Sequence, residues 1–245
     1  MGLLSTFFTG VIALAGAVSA VQYCDSGTSV CYSETKAGDL FVRVALPAVE
    51  QNPFDILMQV VAPKAAAGWA AIAWGGKMTK NPITVAWANG NKTVVSSRWA
   101  DLIPHIFEPS SPRRCHPFWP NGCLLTWHQK HPRTSGRYPK ATYTVLKGST
   151  ANATHWTLTA LCSQCASWTA DGVTTALNPN DKAAKFAYAL APTAPSQPAN
   201  NASSIVKHTI HAAFTVDLAA ARTDKFETFF EMELRWDLDE TSGKK

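Results

Sequence analysis

The stretch that most restricts what this chain can fold into is residues 83–98, ITVAWANGNKTVVSSR. Two runs rich in β-branched residues flank Asn89-Gly90. An Asn-Gly pair accepts the positive φ angles of a tight turn whose twist matches that of paired strands. The stretch therefore predicts a β-hairpin with Asn91 at its tip. Similar runs recur at residues 40–46, 54–61, 69–74, 142–146, 155–160, 185–191 and 208–216; each is short, apolar or β-branched, and most are punctuated by Gly or Pro. Only residues 218–232 read as partly helical, and no internal repeat is visible. Many short strands separated by turn signals specify an all-β sandwich or barrel. The 245 residues fit one large domain, and 46% hydrophobic against 16% charged residues is enough apolar material for a core.

Residues 1–20 carry no charged side chain, are apolar in the middle and end in Val18-Ser19-Ala20. This is a signal-peptide pattern with cleavage after Ala20, although the usual basic start is missing; the other reading is a membrane anchor, for which the run is short. The expectation is a secreted, extracellular protein with no membrane segment after cleavage. Export agrees with three glycosylation sequons, at Asn91, Asn152 and Asn201, and with six cysteines in sequence-local pairs, Cys24/Cys31, Cys115/Cys123 and Cys162/Cys165. Six cysteines permit 15 connectivities, so local pairing is an expectation only. The mature domain is expected over 21–236, with a polar tail at 237–245.

Residues 104–140 differ from the rest. Basic, aromatic and proline residues follow one another there without a period, as in Ser-Ser-Pro-Arg-Arg-Cys-His-Pro and Trp127-His-Gln-Lys-His-Pro-Arg. Loops of this length are uncommon without a function. Two readings stand: a surface insertion clipped by Cys115–Cys123, or a translated intron. By contrast, residues 192–204 are rich in Pro, Ala, Ser and Asn and read as an exposed loop before the His208 strand.

Several chemistries find no motif. There is no G-x-S-x-G elbow, phosphate-binding glycine loop, H-E-x-x-H or G-x-G-x-x-G turn, so a flavin or nicotinamide domain is not expected in this chain. The net charge of +5 is spread out, and nucleic-acid binding, which needs clustered positive charge, is not expected. Cys162-Ser-Gln-Cys165 has Ala166 where covalent haem attachment needs His, and no second C-x-x-C completes a zinc site; a disulfide is the expected state. His208 and His211 are three apart. On a strand that spacing sends the two rings to opposite faces, so both are not expected to serve one ion. Taken alone, Met78 reads as core packing.

Read together, the motifs change that view. Gly68-Trp-Ala-Ala-Ile-Ala-Trp-Gly-Gly-Lys-Met78, Ile83-Thr-Val-Ala-Trp-Ala-Asn-Gly-Asn, and Val95-Ser-Ser-Arg-Trp-Ala100 resemble the cytochrome domain of fungal cellobiose dehydrogenase. So do Thr154-His-Trp with Cys162-x-x-Cys165 and Trp168, and His208-Thr-x-x-Ala-Ala-Phe-x-Val-Asp-Leu. The resemblance covers most of residues 23–225. It implies an immunoglobulin-like antiparallel β-sandwich of the DOMON type, with haem b held non-covalently by Met78 and His208 as axial ligands. Arg98 is a candidate partner for a haem propionate. The chain departs from the family after Ala100, where Asp101-Leu-Ile-Pro replaces a usual Thr-Gly-Tyr run.

What the resemblance implies is a monomeric electron-transfer protein rather than a substrate-converting enzyme; ferric-reductase activity would be inherited from the family. Its donor would be an external flavodehydrogenase. Its acceptor would be a polysaccharide monooxygenase, a quinone or ferric iron. The rival reading is a haem-free DOMON module that binds a carbohydrate or a partner protein.

Overall fold

The computed structural model describes residues 21–26, 29–49, 52–101 and 135–227. Apart from helical residues Phe226 and Glu227 at the end of the last described segment, the elements are strands: β1 (Val21–Cys24), β2 (Cys31–Ala37), β3 (Leu40–Pro47), β4 (Ile56–Pro63), β5 (Trp69–Ala73), β6 (Pro82–Asn89), β7 (Lys92–Ala100), β8 (Ser135–Arg137), β9 (Thr142–Val145), β10 (Thr150–Ala151), β11 (His155–Ser163), β12 (Ser167–Ala170), β13 (Val173–Ala176), β14 (Ala184–Ala191), β15 (Ile210–Val216) and β16 (Arg222–Thr223).

They form a sandwich. Sheet I runs β1-β2-β3-β4-β11-β10, with β9 also on β11 and β16 on β3. Sheet II runs β15-β14-β5-β6-β7-β8, and β12 and β13 form a separate hairpin. All pairings are antiparallel except β16 on β3. The expected β-sandwich is observed, and most expected strands agree with the structure to within two or three residues. The Asn-Gly hairpin is β6–β7, with Asn89 opposite Lys92 and Gly90 at φ +64°.

Alternation of side chains along each strand (period two) sorts the apolar residues into three layers. Even-numbered positions of β5, β14 and β11, such as Ile72, Phe186, Tyr188 and Leu158, meet Val42, Val44, Met58 and Val60 between the sheets. A second cluster lies on the outer face of sheet II and includes Trp69, Ala71, Ile83, Trp87 and Ala189. A third lies on the outer face of sheet I around Tyr32, Ala45, Leu57 and Leu161. Next to it, Glu34, Arg43, Gln59 and Thr159 are in register across four strands. Arg43 Nε donates to Glu34 (2.6 Å), its Nη1 donates to Gln59, and Gln59 Nε2 donates to Thr159 Oγ1 (2.9 Å). The ladder runs from the half-buried Glu34 and Arg43 to the buried Gln59 and Thr159, whose polar groups it pairs, which is the condition for keeping such groups out of water.

The expected helix at 218–232 is not seen over its first part. Leu218 and Ala221 are fully buried in the inter-sheet core, Leu46 N–H donates to the Ala221 carbonyl (2.8 Å), and β16 pairs with Leu46 and Pro47. Burial against β3 has overridden the local helical pattern up to Thr223, whereas Phe226 and Glu227 are helical; residues 228–232 lie outside the described residues. So do residues 1–20, the tail from 237, residues 102 and 103, and 104–134 of the expected insertion with Cys115 and Cys123; residues 135–137 form β8 against the end of β7.

Candidate functional site

The outer face of sheet II has an unusual composition. Across the register, Ala189 stands opposite Ala71 and Ala187 opposite Ala73. Ala71 in turn faces Val85, and Ala73 faces Ile83. Ala71, Ala73, Ala187, Ala189 and Ala191 are all buried, as are Trp69 and Trp87 beside them. Short side chains in two adjacent central strands make a shallow apolar strip with larger residues along one side. The indole Nε1 of Trp69 is buried there with no acceptor among the described residues.

Met78 lies in the turn between β5 and β6 and packs onto this outer cluster, partly buried. The turn is set by the residues around it. Gly76 has φ +79°, a conformation that costs L side chains heavily, and a Cβ on Gly75 would stand 2.0 Å from Asn81 Oδ1. Asn81, 3% exposed, donates from Nδ2 to the carbonyls of Lys77 (2.8 Å) and Thr79 (2.9 Å). The two residues flanking Met78 are therefore tied to one amide. Beneath the turn, Trp74 Nε1 donates to Thr84 Oγ1 (3.0 Å). That oxygen also shares a hydrogen bond with the Tyr143 hydroxyl of sheet I (2.6 Å), which lies 3.4 Å from Cys165 Sγ. Enclosure of that hydroxyl pushes Tyr143 up to about 12.

His208 lies just before β15 rather than within it. The strand-parity expectation is therefore corrected: the His208 and His211 rings are 4.5 Å apart, not on opposite faces. Thr209 N–H donates to the Leu190 carbonyl (2.9 Å) and opens the pairing, and His211 stands opposite Ala189 of the alanine strip. Met78 thus follows the Ala73 end of the strip and His208 precedes the end near Leu190. At about 3.3 Å per residue, the strip from Trp69 to Ala73 is about 13 Å long.

Arg98 is in register with Ile83 on this face and with Arg137 of β8. It is buried, and neither guanidinium has a carboxylate partner in an ion pair among the described residues. Burial lowers the Arg98 pKa, and the Arg137 charge lowers it further. Its Nε donates to Ser96 Oγ (2.6 Å), and its Nη2 donates to the carbonyls of Asn201 (3.1 Å) and Ser203 (2.7 Å).

The remaining predicted residues lie elsewhere. Cys24–Cys31 closes the β1–β2 hairpin, and Cys162–Cys165 is buried in the inter-sheet core; both are disulfides, as expected. Asn91, Asn152 and Asn201 are all exposed. A separate polar cavity of about 470 Å³ is lined by Lys80, Asp101, Arg137 and Asp171 together with Trp99 and Tyr138, whose rings stack at 4.9 Å.

Sequence reading did not pick out the alanine strip or Asn81. The strip had a signal, since Phe186-Ala-Tyr-Ala-Leu-Ala191 alternates large and small residues strictly. Asn81 had none, because its role depends on the closure of its own turn.

Comparison with known proteins agrees with this architecture. The pyrroloquinoline quinone-dependent pyranose dehydrogenase of Coprinopsis cinerea is 27% identical over 232 residues, which cover 91% of this chain. The chain spans only 27% of that protein's length. Among solved structures, the cytochrome b domain of pyranose dehydrogenase from Coprinopsis cinerea superposes with a TM-score of 0.66 at 23% identity, covering 88% of this chain and 96% of that one. The cytochrome domain of Myriococcum thermophilum cellobiose dehydrogenase gives 0.67 at 14% identity, covering 87% and 96%. The sequence profile of the cytochrome domain of cellobiose dehydrogenase matches residues 23–112 and 118–228, and the chain belongs to that family.

Proposed function

We propose that this chain is a b-type cytochrome domain that passes single electrons, with haem b on the outer face of sheet II between Met78 and His208. The observation that carries the reading is the buried alanine strip between the Met78 turn and the His208 segment. Haem b would need an apolar wall without protruding side chains and two donors to its iron, and Met78 would supply the soft donor and His208 the nitrogen donor. The chain's residues fit that group. Trp69 Nε1 supports the fit, because a buried donor without an acceptor among the described residues is what a ligand oxygen would satisfy.

Haem, when bound, supplies the one-electron ferric/ferrous couple. The Met78 thioether is a soft donor that favours the reduced state, and the His208 imidazole completes the pair. Alanines 71, 73, 187 and 189 would keep water away, and the Arg98 and Arg137 charges would add a positive field beside the site while Arg98 stays bonded to Ser96 and the loop carbonyls. The experiment is reconstitution of the purified protein with haem. The expected result is a low-spin spectrum that sharpens with dithionite, converted to high-spin or lost in Met78→Ala. A protein that ignores haem ends the reading.

The electron donor in this proposal is an external flavodehydrogenase, and the acceptor is a polysaccharide monooxygenase, a quinone or ferric iron. Stopped-flow reduction by such a dehydrogenase, then reoxidation by each acceptor, tests the assignment. Secretion is supported by two disulfides, which persist in oxidising compartments, and by three exposed sequons. The second reading, a haem-free carbohydrate-binding module, draws on the cavity beside the Trp99–Tyr138 stack, where aromatic and charged groups meet. Sugar titration of the colourless protein, read by tryptophan fluorescence, separates the two.

A further inference from the structure

The chain between β14 and β15 contains no regular structure, yet it is tightly fastened. Asn200 N–H donates to the Gln197 carbonyl (2.9 Å), Ser203 N–H to the Asn200 carbonyl (2.9 Å) and Gln197 N–H to Ser203 Oγ (2.9 Å), which closes residues 197–203 into a compact knot. Sheet II holds this knot from below at three carbonyls. Trp87 Nε1 donates to Pro198 (2.7 Å), and the Arg98 fork takes Asn201 and Ser203. Ser96 Oγ, bonded to Nε, fixes the plane of that fork. Ser203 is buried, and Ile205 packs onto the outer cluster two residues later. Only four residues separate Ser203 from His208, and one of them, Ile205, is already anchored. The loop read from composition as merely exposed is a strap.

We propose that Arg98, with Trp87, is a positioning residue: it straps residues 197–203 to sheet II and so sets where His208 stands, before any cofactor is present. The consequence for haem rests on the reading above; the strap itself does not. Two features favour Arg98 as strap over Arg98 as a simple anion partner. Its Nε and Nη2 are committed to Ser96 and to the loop carbonyls, and a buried planar fork is what the task requires. A lysine could offer charge to a propionate but could not hold Ser96 and two carbonyls from one rigid plane.

The test is amide hydrogen exchange on the haem-free full chain, comparing wild type with Arg98→Met, Arg98→Lys and Trp87→Phe. Losing the charge-assisted bonds should speed exchange in 197–206 by roughly ten- to a hundredfold, with the β4 and β11 amides unchanged. Arg98→Lys should loosen the strap nearly as much as Arg98→Met, although it keeps the charge. Trp87→Phe should loosen the Pro198 end alone. Unchanged exchange in 197–206 for Arg98→Met overturns the proposal, as does wild-type protection in Arg98→Lys. Should both Arg98 variants fail to fold, Trp87→Phe decides, and unchanged exchange around Pro198 then overturns it. A parallel haem titration of the wild type keeps the two readings apart. Loosening without haem uptake leaves the strap and removes the cytochrome; uptake with no loosening does the reverse.

Discussion

Tyr143→Phe should reverse the stability order between neutral and alkaline pH. The Tyr143 hydroxyl joins the sheets: it comes from β9 of sheet I and hydrogen-bonds Thr84 Oγ1 of sheet II at 2.6 Å, where Trp74 Nε1 also donates. Taking the hydroxyl out of water penalises the phenolate, so the folded value rises to about 12 while the unfolded chain titrates near 10. Below about pH 10 both states carry the proton and the native hydrogen bond contributes in full. Between about 10 and 12 the unfolded chain has released a proton that the native chain keeps. Stability then falls by about 1.4 kcal/mol per pH unit, to a total of about 2.7 kcal/mol. That total is an upper value, because the residue is only partly buried although its hydroxyl is enclosed. Phenylalanine removes one hydrogen bond, at a cost of about 1 kcal/mol at pH 7, and also removes the titration. Wild type should therefore be the more stable protein by about 1 kcal/mol at pH 7 and the less stable by about 1–2 kcal/mol at pH 12. Urea unfolding followed by tryptophan fluorescence at several pH values measures this, and subtracting the variant cancels every other titrating group. A difference that stays constant from pH 7 to pH 12 would refute the enclosed-hydroxyl argument.

Three further outcomes follow from named contacts. Asn81→Asp replaces the Nδ2 donor with a carboxylate facing the Lys77 and Thr79 carbonyls; thermal unfolding should show a loss of about 2–4 kcal/mol, and the Met78 ligation signature should weaken with it. Gly68→Ala puts a Cβ 2.2 Å from the Pro192 carbonyl oxygen and 2.5 Å from Ala194 N; backbone must move, so a destabilisation of about 1–3 kcal/mol is expected in a urea titration. His208→Ala should abolish the low-spin haem spectrum while His211→Ala retains it, although the rings are 4.5 Å apart; the opposite pattern would transfer the ligand role to His211.

The His208–His211 pair shows where sequence reading reached its limit. Strand parity is a sound rule inside a ladder, but it applies only once the strand's first residue is known. Here pairing begins at Ile210, with His208 still in the incoming strap. A two-residue error in a boundary turned opposite faces into neighbouring rings. The β6–β7 hairpin, in contrast, was legible because its information is local: the turn and both flanking runs lie within sixteen residues. Strands β1, β2, β12 and β13 were missed because Val21–Cys24, Cys31–Ala37, Ser167–Ala170 and Val173–Ala176 lack long branched runs and gain their order from partners or from a disulfide.

Arg98 makes the same point about the site. Its place in a strand was readable, but its partners, the carbonyls of Asn201 and Ser203, lie more than a hundred residues away and carry no side-chain signature. Backbone acceptors are identical at every position, so no sequence pattern can announce them; only the path of the chain does. The same holds for Asn81 and the two carbonyls beside Met78. The proposed ligands Met78 and His208 were found through motif blocks around them, whereas the groups that hold those blocks in place act through the main chain. A substitution at Asn81 or Arg98 can therefore leave both ligand side chains intact and still remove the geometry that makes them a pair.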